Sequence, residues 1–119
     1  MKSKAPYQPD RGDFVWLDFT PNAGTEQGGR RPALVLSAKD YNIATGHCFV
    51  VPVTSVTGKL TSFDVPVPRG AKLDGVIIAN QVRDLDWTAR SADFHSRCDD
   101  ETLHEVLGRI EAILSIDCD

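Results

Sequence analysis

Cysteine is scarce in this 119-residue chain: Cys48, Cys98 and Cys118 are odd in number and widely spaced, so neither a disulfide framework nor a CxxC metal site is on offer. Long apolar stretches are missing too. The longest, such as residues 33–36 and 76–79, fall far short of the roughly 18 residues that span a bilayer, and no membrane helix is expected. The opening MKSKAPYQP has two lysines but no apolar stretch behind them, so it does not read as a secretory signal; a cytoplasmic address is expected. His47, His95 and His104 are scattered, with no pair at the spacing of a metal site on a helix. No GxxxxGK[ST] or GxGxxG string occurs, which excludes a Walker-type phosphate cradle. Neither a metal nor a cofactor is expected.

Excess positive charge is also lacking. The chain has 13 Lys and Arg against 17 Asp and Glu, a net −4 that at face value argues against a nucleic-acid partner. The excess is local, however: residues 101–119 hold five acids and one base, and the preceding hundred residues balance at twelve of each sign. A balanced surface can hold a local basic groove, although the global field will not steer an anion toward it.

What is present is a chain of ordinary composition, 41% hydrophobic and 25% charged, sized for a single domain over residues 1–119 with residues 1–10 as a flexible tail. Short β-rich runs alternate with Gly, Pro, Asn and Asp clusters, the pattern of a small antiparallel barrel or sandwich. Strands are expected at residues 13–19, 31–37, 48–54, 62–67 and 75–79, with a shorter one near 81–84. Val15, Leu17 and Phe19 share one face of the first, with Trp16 opposite. Pro52 removes a ladder donor from the third and suggests a bulge or an edge. At the end of the chain Leu103, Val106, Leu107, Ile110, Ile113 and Leu114 recur at helical spacing, with Asp99 or Asp100 as N-cap. Gly108 interrupts that stripe at about 1 kcal/mol relative to Ala, and suggests close approach to a neighbour.

Between the first two strands lies a thirteen-residue segment, Thr20 to Pro32, with three glycines and two prolines, long enough to suggest function. It sets Glu26 near Arg30 and Arg31, one carboxylate beside two guanidiniums: the minimum set for moving a proton and stabilising a phosphate. Pro32 restricts Arg31 to extended backbone, which constrains the direction of its side chain. Thr54 and Ser55 end a strand, where hydroxyls cap turns or, beside an arginine, bind a phosphate oxygen. Trp16 and Trp87 are read first as packing residues, with base stacking as the alternative role.

These pieces together resemble the MazF/PemK-type toxins of bacterial toxin–antitoxin pairs, MazF branch. The resemblance is carried by Gly12-Asp13-Phe-Val-Trp16-Leu-Asp18-Phe19-Thr-Pro21 and by Gly24-Thr-Glu26-Gln27-Gly-Gly29-Arg-Arg31-Pro32-Ala33-Leu-Val35-Leu36-Ser37. Val51-Pro52-Val-Thr54, Asp74-Gly75, Asn80-Gln81-Val82 and Trp87-Thr-Ala-Arg90 then follow in the same order. It implies a mainly β chain with a C-terminal helix, a small SH3-like barrel of the MazF/CcdB/PemK type. It further implies a homodimer that cleaves single-stranded RNA without metal, leaving a 2′,3′-cyclic phosphate and a 5′-hydroxyl, and that is silenced by a MazE-like antitoxin whose acidic segment occupies the RNA groove. By the resemblance Arg31 stabilises charge and protonates the leaving group, Thr54 binds phosphate, Glu26 is the base, and Arg90 lines the groove. Gln27, Arg30, Ser55, Lys59 and Gln81 complete the expected RNA-binding set. The PemK branch places an Arg-x-Asp pair just before the Gln; here those slots hold Ile78 and Asn80, so catalytic roles from that branch do not transfer.

Two other readings stand beside it. CcdB-type gyrase poisons resemble the fold but depend on a C-terminal tryptophan, whereas this chain ends Ser115-Ile-Asp-Cys-Asp119. An inert SH3-like binding module is the other, although Arg31 and Thr54 are both kept.

Overall fold

The computed structural model describes residues 6–21, 23–24, 28–55 and 58–115. Its strands are β1 (Asp13–Asp18), β2 (Arg30–Val35), β3 (His47–Thr54), β4 (Asp64–Pro66), β5 (Val76–Ile78), β6 (Arg83–Asp86) and β7 (Asp93–Arg97); its helices are α1 (Lys39–Thr45) and α2 (Asp100–Leu114). All strand pairs are antiparallel, in the order β4-β5-β3-β2-β1-β7 with β6 attached to β3. The antiparallel sheet with a C-terminal helix is as the sequence implies; no pairing joins β4 to β7 among the described residues, so the strand pairings do not close it into a barrel.

The middle of the sheet is buried on both faces, and residues 33–36 at the end of β2 are all buried, which explains why they read as a continuous apolar run. Phe14, Leu34, Val51, Val53 and Ile77 face α2, where Leu103 and Val106 close the layer. Val15, Leu17, Phe19, Ala33, Val35 and Val50 form the opposite cluster, capped by Trp87 and Tyr7. Val15, Leu17 and Phe19 thus share a face as their alternation requires. Cys48 and Cys98 are buried free thiols whose pKa values burial pushes up to about 12, so both stay protonated and inert.

Pro52 is neither at an edge nor in a bulge: it sits opposite Ala33 in the centre of the sheet. The reason lies on the other side of β3. Residues 47–50 pair with β6 and residues 53–54 with β5, and Pro52 falls in the gap between these partners, where no ladder bond is asked of it.

Helix α2 starts where Asp99 accepts from the Thr102 amide at 3.0 Å and the Thr102 hydroxyl at 2.7 Å. Such a cap is worth about 1 kcal/mol. The same bonds hold the Asp99 carboxyl below its ordinary pKa. Its contribution is therefore present above the usual carboxylate range and is lost as pH falls through the lowered value. Gly108 does not mark a close approach: a Cβ there meets nothing within 4 Å. No helix among the described residues is long and apolar enough to cross a membrane.

Two elements escaped the sequence reading. Helix α1 buries only Asn42, whose amide donates to Pro9 O at 2.9 Å and Ser37 O at 3.1 Å while its backbone carbonyl accepts the Trp87 indole N–H at 2.9 Å. A helix organised by one buried amide has no apolar stripe to detect. Strand β7 is likewise silent, because it exposes Phe94 and buries Ser96, and it exists through its pairing with β1. Strand β6 starts two residues later than expected because Gln81 N closes a turn onto Ile78 O at 3.1 Å.

Candidate active site

Arg31 lies near the start of β2 and Thr54 ends β3. Two residues on from the Ala33–Pro52 pair, the antiparallel register brings them together, and Arg31 Nη1 donates to Thr54 Oγ1 at 3.3 Å. The other edge of the guanidinium forks onto Gly28 O, with Nε at 2.9 Å and Nη2 at 2.8 Å. These three bonds fix the plane of the group and leave further N–H donors for a ligand. Thr54 is itself set by Gly75, which adopts φ +135° beside it; a Cβ there would stand 2.5 Å from Thr54 O and 3.1 Å from Val53 Cγ1. Any side chain at that position forces the backbone carrying Thr54 to move.

Around this pair is a cavity of about 430 Å³ lined by Trp16, Arg30, Arg31, Thr54, Ser55 and Asp74 among others. Arg30 reaches it with its guanidinium already engaged, by Ser91 O at 2.9 Å and the Asp93 carboxylate at 2.9 Å. Arg31 carries no such ion pair among the described residues, so it is the cation at the cavity open to an anionic ligand.

The segment between β1 and β2 is anchored at both ends. Phe19 N donates to Gly29 O at 2.9 Å and Gly29 N to Thr20 Oγ1 at 3.1 Å. Two arginines hold the carbonyls of its first turn: Arg90 donates to Asp18 O at 3.1 Å and Thr20 O at 2.7 Å, and Arg83 to Phe19 O at 2.9 Å and Pro21 O at 3.4 Å. The Thr20 amide, 2.9 Å from Asp18 Oδ1, holds the Asp18 carboxyl below its ordinary pKa.

The structure therefore brings together Arg31, Thr54, Arg30 and Ser55 of the expected set. Lys59, Gln81 and Arg90 lie outside the cavity, Arg90 serving the loop backbone. Glu26 and Gln27 lie outside the described residues. Of the lining residues missing from that set, two could meet a ligand by charge or stacking: Asp74, whose only sequence signal was its place before Gly75, and Trp16, read first as packing. Among the described residues no group of three or more His, Cys, Asp or Glu converges as a metal site would.

Comparison with known proteins gives a consistent set of likenesses. The sequence model of a family described as "PemK-like, MazF-like toxin of type II toxin-antitoxin system" matches residues 10–114. The endoribonuclease toxin MazF of Escherichia coli (strain K12) is 42% identical over 108 residues, covering 91% of this chain and 96% of the relative. The crystal structure of MazF (Form-I) from Deinococcus radiodurans superposes with a TM-score of 0.88 at 45% identity, covering 93% of this chain and all of that one. A chain of the crystal structure of MazE-MazF (Form-II) from the same organism gives 0.83 at 45% identity, covering 94% of this chain and all of that one.

Proposed function

The chain belongs to the family of PemK-like, MazF-like toxins of type II toxin–antitoxin systems, and from that premise we propose that it is a metal-independent endoribonuclease that cuts single-stranded RNA in the cytoplasm. The observation that carries this reading is the Arg31 guanidinium, braced on Gly28 O and Thr54 Oγ1 and facing a cavity able to admit a nucleotide.

Cleavage to a cyclic phosphate needs a base for the 2′-hydroxyl proton, a cation for the crowded phosphorane and a proton for the departing 5′-oxygen. Arg31 supplies the cation and gives the proton to the departing 5′-oxygen, Thr54 hydrogen-bonds a non-bridging oxygen, and Glu26 takes the 2′-hydroxyl proton. Ser55 and Arg30 contact the backbone on either side; Gln27, Lys59, Gln81 and Arg90 belong to the wider RNA surface. For the fold we favour a small SH3-like barrel open at one seam, because β3 pairs with two successive partners along one edge and so bends the sheet into two layers.

The working unit is a homodimer. Phe49, Val82, Ile113 and Leu114 are exposed around one apolar cavity of about 360 Å³, a patch of the kind that an isologous interface covers. A MazE-like antitoxin silences the enzyme by laying an acidic segment across the Arg31 cavity and competing with RNA for it. The gyrase-poison reading is not favoured, since the curated relatives are endoribonucleases. Purified protein is expected to cut a mixed single-stranded RNA in the presence of EDTA. Its RNA affinity is expected to fall with salt at a log–log slope of about −0.7 per neutralised phosphate, read by filter binding between low and physiological salt. Intact RNA at stoichiometric enzyme, or binding indifferent to salt, contradicts this reading.

A further inference from the structure

Trp16 is out of place for a core residue. Its strand neighbours Asp13, Phe14, Val15 and Leu17 are all buried, yet the indole is 38% exposed. Large aromatic rings contribute most when covered, so an uncovered one on a rigid central strand calls for an occupant. Its position is fixed on both sides, opposite Pro32 on β2 and opposite Asp93 on β7. His95 holds the ring from β7, with centroids 5.6 Å apart and planes tilted by 58°. Trp87 offers the contrast within the same chain: it is partly buried against the core, and its indole N–H is satisfied by Asn42 O at 2.9 Å. No described residue takes the Trp16 N–H.

The free part of the Trp16 ring lines the same cavity as Arg31 and Thr54. Pro32, which faces Trp16 across the ladder, directly follows Arg31, so the two residues stand on adjacent strands at the rim of one cavity. We propose that Trp16 is a stacking platform for the nucleobase next to the phosphate held by Arg31, a binding residue that positions one nucleotide of the strand for cutting. This inference rests on the nuclease reading of the cavity. Stacking is tolerant of base identity, so the platform adds affinity at one position of the strand while hydrogen bonds elsewhere select sequence.

The test uses the full chain carrying Trp87→Phe, which leaves Trp16 as the only tryptophan, and a short single-stranded RNA made uncleavable by 2′-O-methylation. Titration is expected to quench the Trp16 emission, and the quench is expected to vanish when one particular position of the oligonucleotide is made abasic while its neighbours are not. In cleavage assays Trp16→Ala is expected to raise KM about 5- to 150-fold, the loss of one stacked base, with kcat at saturating RNA little changed. Trp16→Phe is expected to recover most of that loss. The abasic penalty seen in the wild-type chain should disappear in Trp16→Ala, a coupling that a structural role for the ring does not produce. RNA that is cut normally by Trp16→Ala with unchanged KM, or bound without quench and with equal affinity at every abasic position, overturns the inference while leaving the nuclease reading intact. A wild-type chain that neither binds nor cuts RNA removes that reading, and this inference with it.

Discussion

Arg31→Ala is expected to lower the single-turnover cleavage of single-stranded RNA by about 10³-fold or more, the scale at which removing a preorganised charge from a phosphoryl or oxyanion transition state is felt. The fold should survive. The side chain is only partly buried and its bonds go to Gly28 O and Thr54 Oγ1, groups at a strand end that water can satisfy. A melting temperature within a few degrees of wild type therefore accompanies the loss. Arg31→Lys restores the charge but cannot fork onto Gly28 O while reaching Thr54, and is expected to recover little. Thr54→Ala keeps the guanidinium and should cost only about 10- to 100-fold, one hydrogen bond to a charged group. An Arg31→Ala rate equal to wild type takes that residue out of the chemistry.

The second large effect is on stability. Asp13 is 5% exposed and receives the Tyr7 hydroxyl, the Asp10 amide at 3.1 Å and Arg97 Nη1 at 2.7 Å. Burial and the Asp13 carboxylate together push the Tyr7 phenol well above its ordinary pKa, as expected of a hydroxyl locked as donor. Gly12 makes room for the arrangement: with φ +93°, a Cβ there would lie 3.2 Å from Arg97 Cζ. Asp13→Ala orphans Tyr7 and Arg97 at once. Breaking a fully buried pair costs about 3–5 kcal/mol; because Arg97 is half exposed, we expect about 2–4 kcal/mol, or on the order of 10 °C in melting temperature. Cleavage by the molecules that remain folded should be unchanged, since Asp13 lies at the far end of β1 from Leu17, the residue paired with Arg31. Calorimetry of the variant beside its cleavage rate separates these effects; a melting temperature equal to wild type contradicts the clamp.

This pair shows what the sequence could and could not disclose. Gly12-Asp13 stood out as part of a family-like string, but nothing local said that its work is to tie the chain ahead of β1 to Arg97, 84 residues away. Elements built on apolar periodicity were readable: β1 through Val15, Leu17 and Phe19, and α2 through Leu103 and Val106 with Asp99 as cap. Elements built on a single polar residue or on a partner strand were not, as Asn42 in α1 and Ser96 in β7 show. The same divide runs through the site. Arg31 and Thr54 were legible as residue types, whereas their contact comes from the β2–β3 register, and the room for it comes from Gly75, just ahead of β5. The family resemblance alone assigns Arg90 to the RNA groove, and nothing local discloses that its guanidinium also serves two backbone carbonyls. Trp16 is the converse, a residue whose strand position argued for packing and whose ring is left facing the cavity.

The central claim is that Arg31 stabilises an attack by the substrate's own 2′-hydroxyl. It is tested most directly with an RNA of one cleavable site, compared with the same strand carrying a single 2′-deoxynucleotide on the 5′ side of the cut, both incubated with the wild-type chain in EDTA. We expect the all-ribose strand to yield a 2′,3′-cyclic phosphate and a 5′-hydroxyl, and the deoxy strand to stay whole at that bond. Cutting of both strands at equal rates, or fragments bearing a 5′-phosphate, would contradict the mechanism outright.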